Sequence, residues 1–141
     1  MANTLKKYET RLKASVAAVA ADDIKEVLVD YLSNVNAEHD YPLLLATPPQ
    51  ATAKGSILEY EELDCEIWVY VPEHLRNGLS WLEICDENKG FLRKVLKDMF
   101  ERNRPDCVLI GDVVFTQGHF MHNAMLAGSK AKFKMRVYYG C

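Results

Sequence analysis

Lys130-Ala-Lys-Phe-Lys-Met-Arg-Val-Tyr-Tyr139 alternates residue by residue, with Ala131, Phe133, Met135, Val137 and Tyr139 on one side and Lys130, Lys132, Lys134, Arg136 and Tyr138 on the other. A period of two is that of a β-strand with one face in a core. The second face of this strand is a basic stripe. So regular a strand predicts that a sheet closes here, with charge displayed on its outside. A second stretch repeats the pattern: Leu63, Cys65, Ile67, Val69 and Val71 alternate with Asp64, Glu66, Trp68 and Tyr70. Its polar positions are acidic where those of the first strand are basic.

Two helices frame these strands. Leu5, Tyr8, Leu12, Val16 and Val19 recur at steps of three and four, which places them on one helical face. Beyond Ala21-Asp22-Asp23 two readings stand. Asp23 caps a new helix with Glu26 reaching back to it, or the apolar phase of Val16, Ala20, Ile24, Val27 and Tyr31 carries one continuous helix to about Val35. The alanine-rich run from Ala14 to Ala21 offers little to bury, so cover from another chain is expected there. The second helix begins at the capping box Ser80-Trp81-Leu82-Glu83 and presents Trp81, Ile84, Phe91, Val95 and Met99, widened by Leu92 and Leu96. Asn88 and Gly90 predict a kink or a brief unwinding, because an interior glycine costs about 1 kcal/mol relative to alanine. Pro105 ends the helix.

Shorter signals complete the order. Tyr41-Pro-Leu-Leu-Leu-Ala46, closed by Pro48-Pro49, reads as an edge or first strand. The stretch from Gln50 to Tyr60 is a loop or weak strand around Gly55, and Cys107 to Phe115 is a strand around Gly111. Thr116 to Ser129 reads as a long loop before the last strand. Its fourteen or so residues exceed the two to five usual in a hairpin, and Phe120, Met121, Met125 and Leu126 are apolar for a solvated segment. It is expected to be a lid, or an arm docked on a partner. The fold class that follows is α+β: a mainly antiparallel four-stranded sheet packed on two helices. With 141 residues and 49% hydrophobic content, a single domain is expected, with residues 1–36 as an N-terminal helical segment and 37–141 as the α/β core.

Composition bounds the function classes. The formal net charge is -3 with 26% charged residues, which implies neither disorder nor a global attraction to nucleic acid. Acids collect at Asp22 to Glu26, Glu59 to Glu66 and Glu83 to Glu87. Cys65, Cys85, Cys107 and Cys141 are isolated and read as free thiols of a reducing cytoplasm. Neither a signal-peptide core nor an apolar run of membrane-span length is present in the sequence, so export and membrane insertion are not expected.

Motifs for chemistry are weak. His119 and His122 with Cys107, and Cys141 as a fourth donor, form the one grouping with any look of a metal site; no cysteine knuckle supports it, and surface histidines are the simpler reading. Cys85 or Cys107 with His119 or His39 formally offers a nucleophile and base, against the ordinary reading of buried inert thiols. Glu59, Glu61, Glu62, Asp64 and Glu66 read as a solvated strand face, or as partners of the basic stripe if those strands are neighbours, ahead of an acid–base pair. No glycine-rich phosphate loop occurs. Lys130, Lys132, Lys134 and Arg136, with Tyr138 and Lys54, offer a runner-up function as a small cytoplasmic binding module for nucleic acid. A charged seam to another subunit is preferred.

The order helix, strand, strand, helix, two strands, taken with Tyr41-Pro-Leu-Leu-Leu-Ala-Thr-Pro-Pro49, Glu66-Ile-Trp-Val-Tyr-Val-Pro72 and Phe133-Lys-Met-Arg-Val-Tyr-Tyr139, resembles the tail-terminator and neck-ring proteins of tailed bacteriophages. The likeness covers most of the chain by order and length. It implies a structural virion protein with no active site, metal or cofactor. Such a protein forms a homo-oligomeric ring at the neck or tail and contacts portal, tail-tube or other neck proteins. In that setting Phe120, Met121, Met125 and Leu126 are expected on a partner, and Lys132, Lys134, Arg136, Asp64 and Glu66 at a subunit seam. The first helix is longer than the family pattern requires.

Overall fold

The computed structural model describes residues 4–31, 40–54, 60–72, 78–104, 106–122 and 124–138. Eight elements follow one another: α1 (Thr4–Val19), β1 (Glu26–Val29), β2 (Leu43–Ala46), β3 (Gln50–Lys54), β4 (Tyr60–Pro72), α2 (Trp81–Arg102), β5 (Cys107–His122) and β6 (Ala124–Tyr138). The class is α+β, two helices on one mixed six-stranded sheet that is antiparallel except for the parallel pair β1–β2. The strand order is β1-β2-β4-β6-β5, with β3 also paired to β4.

The two alternating strands lie side by side. β4 and β6 pair antiparallel over thirteen positions, from Tyr60 opposite Tyr138 to Pro72 opposite Leu126. Leu63, Cys65, Ile67 and Val69 of β4 and Ala131, Phe133, Met135 and Val137 of β6 are buried under the helices. The alternation therefore assigns the core face correctly. Phe100 of α2 meets Phe133 edge-on, with ring centroids 5.9 Å apart, a geometry that suits the aromatic quadrupoles. On the opposite face, Leu43, Leu45 and Tyr70 form a second buried cluster with Leu28, Tyr41 and Trp68 against it. β2 is thus buried on both faces.

Two expectations about the N-terminal third are corrected. The first helix neither runs on nor gives way to a second one capped at Asp23: Ala20 N–H donates to the Val16 carbonyl and Ile24 N–H to that of Ala20, which close the helix in a turn, and Glu26–Val29 becomes strand β1. Val27 and Val29 are β-branched and sit more easily in a sheet than in a helix. The α1 face is also narrower than its periodicity suggests. Tyr8, Leu12 and Val16 are buried, whereas Leu5 and Val19 are 47% and 36% exposed. α1 packs within the same chain, against α2 and the sheet core.

The sheet has six strands instead of four, for two reasons. β1 adds one, and the segment from Gln50 supplies β3, which continues along the edge of β4 that β2 begins. Pro48 and Pro49, without donors, separate the two strands, while Thr47 bonds the Glu66 carbonyl through both its N–H and its hydroxyl, at 3.1 and 3.2 Å. The long loop expected before the last strand is also corrected, because Thr116 to His122 extend β5 and Ala124 to Ser129 begin β6, paired backbone to backbone out to His122 opposite Ala124. β4 runs out alongside β6 and gives this outer half a hydrogen-bonding neighbour.

α2 is helical without interruption from Trp81 to Arg102, so the chain does not unwind at Gly90. Its cap forms as the sequence predicts, Glu83 N–H donating to Ser80 Oγ at 3.2 Å. β6 is locked to the first turns of α2 where Ser129 Oγ donates to the Cys85 carbonyl at 2.7 Å. Gly128 is needed beside it. A Cβ there would come 2.6 Å from Tyr70 Cα, closer than real side chains approach.

Candidate assembly surfaces

The face of β4 and β6 turned away from the helices carries the charges singled out in the sequence. Register places Glu62 opposite Arg136, Asp64 opposite Lys134 and Glu66 opposite Lys132. Ion pairs follow the first two rungs, Arg136–Glu62 at 3.7 Å and Lys134–Asp64 at 3.6 Å, while Glu66 is met at 3.8 Å by its diagonal neighbour Lys130 in place of Lys132. Two cations also lie over aromatic faces, Lys130 above Trp68 at 4.9 Å and Arg136 above Tyr60 at 4.2 Å, where the ring quadrupole attracts them. Trp68 Nε1–H donates to Glu66 Oε1 at 3.0 Å. The hydrogen bond between Arg136 and the Tyr138 hydroxyl holds the guanidinium pKa above its usual value. Each cross-strand pair contributes about 0.2–1 kcal/mol. Three of the stripe's four cations are therefore paired with carboxylates of their own sheet, which weakens its field toward an outside polyanion.

The other expected interface residues occupy the outer hairpin, where Phe120 pairs with Leu126 and Met121 with Met125 through the backbone. Their side chains lie outside the described residues, as do Cys141, His39, Glu59 and the side chain of Lys54. Cys107 and His119 are not brought together. They stand opposite Val137 and Ala127, ten residues apart on β6, which is roughly 33 Å at 3.3 Å per residue. Among the described residues no group of three or more His, Cys, Asp or Glu is arranged to hold a metal ion.

The thiols Cys65, Cys85 and Cys107 are buried and free. Burial raises the pKa of all three; Cys107 is pushed up to about 11 despite the opposing effect of the Arg11 guanidinium. A nucleophilic cysteine needs the reverse shift. These thiols stay protonated at neutral pH.

The surface that the sequence did not reveal is a groove of about 870 Å³ between α2 and edge strand β5. Leu96, Phe100, Leu109, Val113 and Phe115 form its apolar lining, and Arg93, Lys94, Lys97 and Arg104 its basic rim, with Glu101 the one acid among its residues. It exists because α2 packs chiefly over β6 and covers the helix-side face of the edge strand β5 only in part. On that face Leu109, Val113 and Phe115 are only partly buried, at the margin of the core. A bulge shapes the floor: Gly111, Asp112 and Val113 face the single residue Phe133 between the pairs Ile110–Lys134 and Val114–Lys132. Gly111 makes the bulge at φ 71°, a conformation glycine adopts without strain. The trace of this groove in the sequence is the run Arg93, Lys94, Lys97 on the outer face of α2, legible as cationic but not as the margin of an apolar slot.

No known family model matches this chain, and no curated protein matches it. Among the described residues no helix is long and apolar enough to cross a membrane.

Proposed function

We propose that this chain is a structural virion protein that forms a homo-oligomeric ring at the neck or tail of a tailed bacteriophage, as a tail terminator or head–tail joining protein. The observation that carries the reading is the pair of unlike flanks on one sheet. The β5 flank has an apolar, cation-rimmed groove, and the chain around β1 at the other end is acidic. Unlike flanks join head to tail, and head-to-tail contacts close into rings when the rotation permits. Of the pattern behind the resemblance, the two helices and the closing pair of strands are kept, with four strands in place of two between the helices.

In this reading the paired strands β5 and β6 replace the expected loop as the extension toward adjoining portal, neck or tail-tube proteins. The runner-up, a nucleic-acid module using the basic last strand, has less support because Glu62, Asp64 and Glu66 pair with those cations. Negative-stain electron microscopy of the purified protein tests the proposal. Ring-shaped particles of uniform diameter are expected, and a field of single-subunit particles at every concentration contradicts it.

A further inference from the structure

The helices cover the sheet unevenly. α1 packs against α2 on the side of β1, and α2 packs chiefly over β6, so the outermost strand β5 sits at the margin of the helix layer. Strands stand about 4.8 Å apart and packed helices about 10 Å apart, so one helix spans roughly two strands. A further helix set beside α2, on the side away from α1, has α2 to one side and β5 beneath it. The groove of about 870 Å³ occupies this position. From Gly90 to Glu101 it follows α2 for roughly three turns, about 16 Å. An added strand fits less well. Gly111, Asp112 and Val113 bulge in β5, which breaks the ladder that another strand would need and is a common guard of sheet edges.

Charge selects the occupant. Arg93, Lys97 and Phe100 follow one another along α2 at steps of four and three, and Lys94 and Arg104 extend the row of cations, with Glu101 the one acid on the groove. Among the described residues none of these four cations has an ion-pair partner, whereas the neighbouring Arg102 is held by Asp98 at 3.0 Å. The missing counter-charge does not come from a helix of a second copy: α1 carries Lys6, Lys7, Arg11 and Lys13 against Glu9, and α2 is fixed in its own core.

We infer that the α2–β5 groove receives an amphipathic helix of a different protein, with its apolar face on Phe100, Leu109, Val113 and Phe115 and acidic residues along its margin on Arg93, Lys94 and Lys97. Helices dock in apolar grooves through residues at i, i+3, i+4 and i+7, and opposed charge steers encounter and fixes orientation. The inference goes beyond the ring reading and does not rest on it. Val108 and Val114, 41% and 56% exposed on the opposite face of β5, stay available to a neighbouring copy, so each subunit of a ring can hold one such helix.

The probe is a fluorescein-labelled peptide of about sixteen residues, with Leu at i, i+3, i+4 and i+7 and Glu flanking them; so short a helix is marginal in water when free. Its control carries Lys at every Glu. Titrated with the full chain at low salt and followed by fluorescence anisotropy, the Glu peptide is expected to bind at least about tenfold tighter than the Lys peptide, and to gain helical circular dichroism on binding. Arg93→Glu with Lys97→Glu, checked for folding by melting, should reverse that preference, and Val113→Asp should weaken both peptides; the two peptides on the unaltered protein decide where a variant does not fold. Equal affinity for the two peptides, a preference that survives the charge reversal, or binding without a gain in helix overturns the inference. Light scattering of the same proteins reads the ring separately. An assembly of the unaltered protein that dissolves in Arg93→Glu with Lys97→Glu puts a second copy in the groove, which supports the ring and overturns this inference. An unaltered protein that is monomeric at every concentration overturns the ring alone.

Discussion

Leu12→Ala measures how firmly α1 belongs to the fold of its own chain. The substitution removes three carbons from a side chain that is 0% exposed in the core beneath α1. At about 0.8 kcal/mol per buried carbon the transfer loss is near 2.4 kcal/mol, and the cavity left behind raises the expected cost to about 3–4 kcal/mol. With a urea m-value of about 2 kcal/mol/M for a domain of this size, the midpoint falls by roughly 1.5–2 M. Leu5→Ala on the same helix is the control, because Leu5 is 47% exposed, and its effect should stay within about 0.5 kcal/mol. Urea melts followed by far-UV circular dichroism at two protein concentrations make the measurement. The Leu12 loss should not depend on concentration, since the residue is covered within one chain. Equal small effects at both positions, or a Leu12 loss that vanishes on dilution, would refute the packing of α1 on this sheet and favour cover by a neighbouring copy.

Gly128→Ala places a Cβ 2.6 Å from Tyr70 Cα, so β4 and β6 must move apart and about 2–3 kcal/mol of stability should be lost; a thermal melt unchanged from the parent contradicts the close approach. The Asp64–Lys134 pair, with side chains 60% and 46% exposed, should show a coupling of about 0.2–1 kcal/mol in a double-mutant cycle of Asp64→Ala and Lys134→Ala, and it should shrink in high salt. Additive single effects at low salt show that these charges do not pair. Burial holds the Cys107 thiol protonated up to about pH 11 from an ordinary value of 9.0. That contribution to stability is fully present below about pH 9 and is lost as pH rises toward 11, because the unfolded chain ionises first. Cys107→Ala should therefore flatten part of the alkaline fall in the urea midpoint. An unchanged slope places the loss elsewhere.

The strands that alternate cleanly were legible because one face of each is in the core, and burial is what enforces a period of two. Lys130 to Val137 and Leu63 to Val71 thus gave their elements, their inward faces and the mutual charge of their outward faces. The adjacency that turns those charges into ion pairs is a property of sheet order, which no local pattern encodes. β1 was missed because Val27 and its neighbours also satisfy helical spacing, and the choice is made by the hydrogen bonds of β2. The outer halves of β5 and β6 were missed because Gly118, His119 and Gly128 have little strand propensity; pairing to β4 supplies what propensity lacks. The groove was out of reach for another reason. Its floor and rim come from two different elements, β5 and α2, joined only when α2 settles over β6 and covers β5 in part.

Sedimentation velocity of the unaltered protein over a wide concentration range tests the central claim most directly. The account predicts one closed species of fixed subunit number, in equilibrium with monomer and loosened by high salt. A single monomer boundary at all concentrations, or an unbounded series of ever larger species, contradicts it.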